Sequence, residues 1–386
     1  MENLRRQALS RGMPPLPNSF GKRPFSASNP RKKDYSPLSW DKFFDEKRTF
    51  KLMNDSVVTA YSAGTSGPII LALHGGGYSG LTWSCLAKEL TKLVDCRLVA
   101  PDLRGHGETV TTDDGLLSSE VLAEDVGQFI QEYLKELGEE VPVIILGHSM
   151  GGAIAVHAAT RDLIPNLIGL VVIDVVEGSA MEALKSMQSY LSGRPKSFRS
   201  LEQAIEWCVR SGTVRNLESA RVSMPGQLTV SVNERQTSEM PASSLSLNGD
   251  IPEHDEESSP NRTTSAADGP SMATAATHAT GSGGFTWRID LTKTEGYWEG
   301  WFKGLSARFL SCPVPKLLIL AGVDRLDKDL TVGQMQGKFQ MIVLPKVGHA
   351  VQEDSPQKVA DTLATYMVRN QFTSPLTEFE PVVPCC

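Results

Sequence analysis

The 386-residue sequence lacks several features that mark large classes of proteins. No apolar run is long enough to cross a bilayer, and no apolar stretch of the secretory type follows residues 1–6. The six cysteines have neither metal-site nor disulfide-framework spacing. A net charge of −7 argues against nucleic-acid binding by the whole chain. These absences predict a protein of a reducing, intracellular compartment that needs neither membrane nor nucleic acid.

What is present is typical of a soluble globular protein, with 40% hydrophobic and 22% charged residues. Residues 1–38 are rich in Pro, Ser, Arg and Lys, which predicts a disordered basic arm. That arm serves either as a nuclear import or docking segment or simply as a solvated tail. A globular pattern covers residues 39–372, and residues 373–386 form a C-terminal tail.

Apolar segments of strand length alternate with segments of helical periodicity. This alternation predicts an α/β fold with a mostly parallel central sheet and helices on both faces. The predicted strands cover a hairpin at 49–61 and segments 69–74, 96–100, 143–146, 168–173, 316–320 and 340–344. The predicted helices cover 81–94, 119–137, the segment after 149, and 356–367.

Two insertions interrupt the alternation between the strands at 168–173 and 316–320. Residues 179–227 have helical patterns and are expected to form a helical lid over the strand ends. Residues 228–284 contain Ser, Thr, Pro, Ala and Gly with almost no aromatics, which predicts a disordered loop. Residues 285–315 are expected to return as helices.

The most informative motif is Gly147-His148-Ser149-Met150-Gly151, which has the form G-x-S-x-G. An apolar run precedes it and a small-residue run follows it, so the context is strand, sharp turn and helix. This is the arrangement of the nucleophile elbow of α/β hydrolases. Ser149 is therefore the candidate nucleophile. A serine at the elbow also argues against the dehalogenase and epoxide hydrolase branches, which carry aspartate there.

A serine nucleophile needs a histidine base that is oriented by an acid, and in this architecture their order is Ser, acid, His. His349, just beyond the last predicted strand, is in the position that this order requires. Asp174 and Asp324 both end strands between Ser149 and His349, and either could be the acid. The general strand order slightly favours Asp324.

Acyl transfer also needs N–H donors aimed at the oxyanion. The backbone N–H of Met150 is one candidate, and Gly76 in the run Gly75-Gly76-Gly77 after His74 supplies the other. We expect no metal and no cofactor, because metal-ligand spacings are missing and the glycines at 64–67 lack the Lys-Ser/Thr partner of a phosphate loop.

Together these motifs resemble the protein phosphatase methylesterase family, serine carboxylesterases of the α/β-hydrolase superfamily. The resemblance rests on residues 73–77, 102–109, 147–157, 173–178, 216–224, 320–330 and 335–340. It implies removal of the methyl ester from the C-terminal leucine of the protein phosphatase 2A catalytic subunit. The family's triad maps onto Ser149, Asp174 and His349, which favours Asp174 over Asp324.

The resemblance carries further expectations about partners and location. It implies a triad that is misaligned until the phosphatase docks, contact with scaffold and regulatory subunits, and a cytoplasmic and nuclear location. Arg221 and residues 335–340 are candidate docking contributors. Two alternatives stay open: a general intracellular carboxylesterase, and an inhibitory scaffold that binds the phosphatase.

Overall fold

The strands predicted from the Val-, Ile- and Leu-rich segments build one central sheet of eight strands. The computed structural model describes residues 33–231, 284–322 and 326–384. Its strands are β1 (Glu46–Lys51), β2 (Val57–Ala63), β3 (Ile69–Leu73), β4 (Arg97–Pro101), β5 (Val143–His148), β6 (Leu167–Ile173), β7 (Ser197–Phe198), β8 (Leu228–Val230), β9 (Phe285–Trp287), β10 (Lys316–Leu320) and β11 (Gln340–Val343).

The strand order in the central sheet is β1-β2-β4-β3-β5-β6-β10-β11. The pairs β1–β2 and β2–β4 are antiparallel, and all the others are parallel. Most strands therefore run in one direction and end at one edge. The prediction of a mostly parallel sheet in an α/β fold is confirmed.

Eleven α-helices lie in the described part of the chain. They are α1 (Ser84–Leu93), α2 (Ser119–Leu137), α3 (Met150–Thr160), α4 (Glu177–Ser192), α5 (Leu201–Ser211), α6 (Leu217–Ser223), α7 (Glu295–Phe302), α8 (Leu305–Ser311), α9 (Lys328–Met335), α10 (Val351–Asp354) and α11 (Pro356–Arg369). The Ser118 side chain caps α2 by accepting a hydrogen bond from the Val121 N–H, as an N-cap serine should.

Both faces of the sheet are covered, as the side chains of β3 illustrate. Ile69 and Leu71 belong to one buried cluster, which includes residues of α2 and α3. Ile70 and Ala72 belong to a second cluster, which includes residues of α1 and α11. Because successive side chains of a strand point to opposite faces, a continuous apolar run such as β3 is stable only when helices cover both sides.

A small second sheet has the order β7-β9-β8 and lies at the base of the second insertion. Residues 228–230, which composition assigned to the disordered loop, form β8 and pair with β9, and the Ser231 N–H donates to the Gly284 carbonyl. The predicted loop thus begins too early, and the helical return predicted from 285 starts with a strand. The rest of the loop, residues 232–283, lies outside the described residues.

Contacts at both ends of the domain extend its boundaries. Leu38, assigned by composition to the basic arm, donates its N–H to the Arg221 carbonyl, and Arg221 Nε donates to the Ser36 carbonyl. Residues 1–32 of that arm lie outside the described residues. In the C-terminal tail the Leu376 N–H donates to the Leu93 carbonyl. Across the described ranges, no helix is both long and apolar enough to cross a membrane.

Candidate active site

Ser149 lies on a strained turn between β5 and α3, with φ 53° and ψ −122°. Few residues other than glycine adopt a positive φ. A hydrogen bond from the Ser149 N–H to the Ile173 carbonyl holds the turn in place. A Cβ on Gly147 would lie 2.2 Å from the Gly151 carbonyl oxygen, and one on Gly151 would lie 2.4 Å from the Leu73 carbonyl oxygen. Both glycines of the motif are therefore required by close backbone approach.

A hydrogen bond of 2.7 Å joins His349 Nδ1 to Asp174 Oδ2. The carboxylate can only accept, so Nδ1 carries a proton, and in the neutral imidazole Nε2 is the nitrogen with the free lone pair. The second oxygen, Asp174 Oδ1, accepts from the Ala321 N–H at 3.0 Å. The Asp174 side chain is fully buried, whereas that of His349 is 47% exposed. A buried carboxylate that accepts two hydrogen bonds thus orients a histidine that faces the solvent.

Ser149 and His349 line the same cavity. Among the hydrogen bonds of the described residues, however, none joins the Ser149 hydroxyl to the His349 ring. Asp174 and His349 are therefore joined by a hydrogen bond, whereas His349 and Ser149 face the same cavity without one.

The alternative acid, Asp324, lies outside the described residues.

His148, within the elbow, contacts the loop that carries His349. Its Nε2 lies 2.8 Å from the His349 carbonyl oxygen, and because a carbonyl only accepts, Nε2 must be the protonated nitrogen. Burial, together with the neighbouring His349 ring, lowers the pKa of His148 to about 3. Neutral His148 therefore braces the loop of the candidate base.

Two further histidines hold the glycine run after β3. The Leu103 N–H donates to His74 Nε2, and the Gly77 N–H donates to His106 Nε2, each at 2.9 Å. Burial lowers the pKa of His74 well below its ordinary value and that of His106 to about 4, so both rings accept as neutral imidazoles. The Gly77 N–H is thereby committed to His106 and is not a candidate oxyanion donor.

Gly76 and Met150 line the cavity beside Ser149. Met150 is the first residue of α3, so its N–H has no intrahelical acceptor and points toward the positive end of the helix dipole. The two candidate oxyanion donors therefore flank the same space as the serine.

The cavity has a volume of about 130 Å³ and continues into a larger groove of about 810 Å³. Leu184 and Met187 of α4 contribute apolar walls, while Trp207 of α5 lines the outer groove. An apolar cavity behind a wider groove suits a short apolar chain end that is attached to a larger molecule. Within the described ranges, no group of three or more His, Cys, Asp or Glu side chains could hold a metal ion.

The two predicted docking contributors differ in their surroundings. Arg221 donates through Nη2 to the Ser36 hydroxyl at 2.7 Å, in addition to its Nε bond, so its guanidinium fastens the N-terminal end of the domain. Met335, at the end of α9, is 80% exposed.

Comparison with known proteins relates this chain to a known family. The model of the alpha/beta hydrolase family matches residues 70–362. The chain is 49% identical to protein phosphatase methylesterase 1 of Mus musculus and of Homo sapiens, in each case over 97% of this chain and 96% of the relative. It is 46% identical to a probable protein phosphatase methylesterase 1 of Caenorhabditis elegans, over 97% of this chain and 87% of the relative.

Solved structures share the fold at lower identity. The structure of E-2-(acetamidomethylene)succinate hydrolase is 16% identical, with a TM-score of 0.60 over 84% of this chain and 99% of that one. The thioesterase domain from the curacin biosynthetic pathway is 19% identical, with a TM-score of 0.55 over 83% and 98% of the two chains.

Proposed function

Because the chain belongs to the protein phosphatase methylesterase family of α/β hydrolases, we propose that it hydrolyses the methyl ester on the C-terminal leucine of the protein phosphatase 2A catalytic subunit. The observation that carries the proposal is the Asp174–His349 pair beside the Ser149 elbow, in a cavity that opens to a groove. The products are methanol and a free C-terminal carboxylate.

In the first half of the proposed reaction, Ser149 Oγ attacks the ester carbonyl while His349 Nε2 takes its proton. The N–H groups of Met150 and Gly76 donate to the oxyanion of the tetrahedral intermediate. Asp174 keeps the proton on Nδ1 and stabilises the imidazolium. The intermediate then collapses, the proton on His349 passes to the leaving methoxide, and methanol departs from the acyl-enzyme.

In the second half, water attacks the acyl carbonyl and gives a proton to His349. The same N–H donors stabilise the second oxyanion. Its collapse returns the proton to Ser149 and releases the carboxylate, so no metal or cofactor enters the cycle.

The expected context of the reaction follows from the same proposal. We place the enzyme with phosphatase assemblies that include scaffold and regulatory subunits, in the cytoplasm and the nucleus. The basic run Arg31-Lys32-Lys33 supports nuclear entry.

The proposed substrate is tested by incubating the enzyme with methylated phosphatase catalytic subunit and measuring the mass of its C-terminal peptide. We expect that mass to fall by one methylene group, with a kcat/KM well above that for a short aryl ester. A phosphatase that stays methylated while the aryl ester is turned over would instead support the general carboxylesterase.

A further inference from the structure

Arg194 follows the C-terminal end of α4, and an aromatic platform holds its guanidinium in place. The guanidinium carbon lies 3.5 Å from the centre of the Trp287 ring. The Trp287 Nε1–H donates to the Pro195 carbonyl at 2.7 Å, and the ring packs against Phe198 and Trp207. Stacking on a fixed tryptophan restricts the cation to one position.

The Arg194 side chain makes no ion pair and no hydrogen bond with any residue that the structure describes. Its Nε is buried without a partner. Desolvation lowers the pKa of Arg194, and the groups that act against this shift are Tyr190, Tyr78 and Cys208. Burial raises the pKa of Tyr78 and of Cys208, so these two groups are neutral at pH 7 and do not balance the charge.

Glu353 is the carboxyl group that acts electrostatically on both Tyr78 and Cys208. It is buried and accepts hydrogen bonds from the hydroxyls of Thr82 and Ser223. Burial raises the pKa of Glu353 to about 8. With both of its oxygens bound to these hydroxyls, Glu353 forms no ion pair with Arg194 in the described part of the chain.

This unpaired cation faces the candidate active site. Arg194 lines the same cavity as Ser149 and His349. A Cβ placed on Gly77 would lie 3.8 Å from Arg194 Nη1, so the guanidinium is on the glycine-run side of the cavity. A desolvated charge without a partner is costly, and a bound anion would remove that cost.

We propose that Arg194 binds a carboxylate of the substrate chain. This inference rests on the proposed function, because ester hydrolysis converts a neutral chain end into a carboxylate within this cavity. The planar guanidinium fork matches a carboxylate in two hydrogen bonds. The carboxylate has two sources: the chain terminus that the reaction creates, or an acidic side chain near that terminus.

The test follows hydrolysis of 4-nitrophenyl acetate and its competitive inhibition by a synthetic hexapeptide with a C-terminal leucine and one internal aspartate. The peptide is made in four forms, which combine a terminal acid or amide with an internal aspartate or asparagine. The quantity compared is the ratio of the inhibition constants of each amide form and its acid counterpart. Because each ratio is taken within one variant, a general loss of activity or of folded protein cancels.

At one of the two positions, we expect the wild-type protein to bind the carboxylate form of the peptide at least about tenfold more tightly than the amide form. That position identifies the carboxylate that Arg194 binds. Arg194→Met should bring that ratio close to one, and Arg194→Lys should restore part of it, since lysine keeps the charge without the fork. Lys196→Met removes the same charge from an exposed site in the same loop and should leave the ratio unchanged.

Two results would overturn the inference: a wild-type ratio near one at both positions, or a preference that survives in Arg194→Met. Since the assay uses a small ester, its outcome is separate from that of the proposed function. If the carboxylate preference depends on Arg194 but the enzyme leaves methylated phosphatase intact, the proposed phosphatase substrate is wrong and the inference about Arg194 stands.

Discussion

At the residue scale, the best-defined feature is Asp174, whose two carboxylate oxygens are both used. One accepts from the Ala321 N–H and the other from His349 Nδ1. Asp174 also has a positive φ of 50°, and its own N–H donates to the Ile319 carbonyl of β10. The aspartate is therefore fixed by backbone on both sides, and it leaves His349 one orientation for the proton-bearing nitrogen.

Replacement of this aspartate gives a direct prediction. Asp174→Asn should lower kcat for the methylated phosphatase by about 10⁴-fold, because the amide no longer selects the productive tautomer of His349. Steady-state kinetics on the two variants Asp174→Asn and Asp324→Asn checks this, with Asp324→Asn expected to keep most of the activity. If Asp324→Asn loses its kcat while Asp174→Asn keeps it, Asp174 is not the acid of the triad.

The sequence was more informative about some of these residues than about others. Ser149 is marked by its own motif, and His349 by its place after the last strand. Asp174 and Asp324 could not be separated by pattern, because β6 and β10 are neighbours whose ends leave the same edge of the sheet. Arg194 and the bracing contact of His148 had no local signal, since both depend on neighbours that are distant in sequence.

At the scale of elements, β3, β5 and α3 approach one another closely at the elbow. Gly151→Ala should lower the free energy of unfolding by about 2 kcal/mol or more, because the new Cβ would meet the Leu73 and His74 carbonyl oxygens at 2.4 Å. Urea unfolding measures the loss. The matched control is Gly300→Ala in α7, where nothing lies within 4 Å of the added Cβ.

The control should be neutral or stabilise the protein by up to about 1 kcal/mol, since alanine is the better helix former. Equal stabilities of Gly151→Ala and the wild type would contradict the close approach that the elbow requires.

Elements with strong local signals were predicted well from the sequence. The helix α2 has its serine cap, and the buried strands have long apolar runs. The short strands β8 and β9 were missed, because each has three residues and they pair with each other across the whole of the second insertion. Two short strands that are so far apart in sequence leave no local pattern to detect.

At the scale of the whole molecule, the candidate site is assembled at the carboxyl edge of the parallel sheet. Ser149 follows β5, Asp174 follows β6, Gly76 follows β3, and His349 lies beyond β11. This edge is where open α/β sheets generally bind ligands. The fold class followed from the strand–helix alternation, whereas the cavity and groove depend on how α4 and α5 pack over the edge.

The central claim is that Ser149 performs the demethylation, and one measurement tests it most directly. Methylated phosphatase catalytic subunit is incubated with the wild-type protein or with Ser149→Ala, and the C-terminal mass is followed with time. The exposed Ser311→Ala is the matched control. We predict loss of one methylene mass with the wild type and with Ser311→Ala, and a methylated terminus that persists with Ser149→Ala. Demethylation by Ser149→Ala at the wild-type rate would contradict the account.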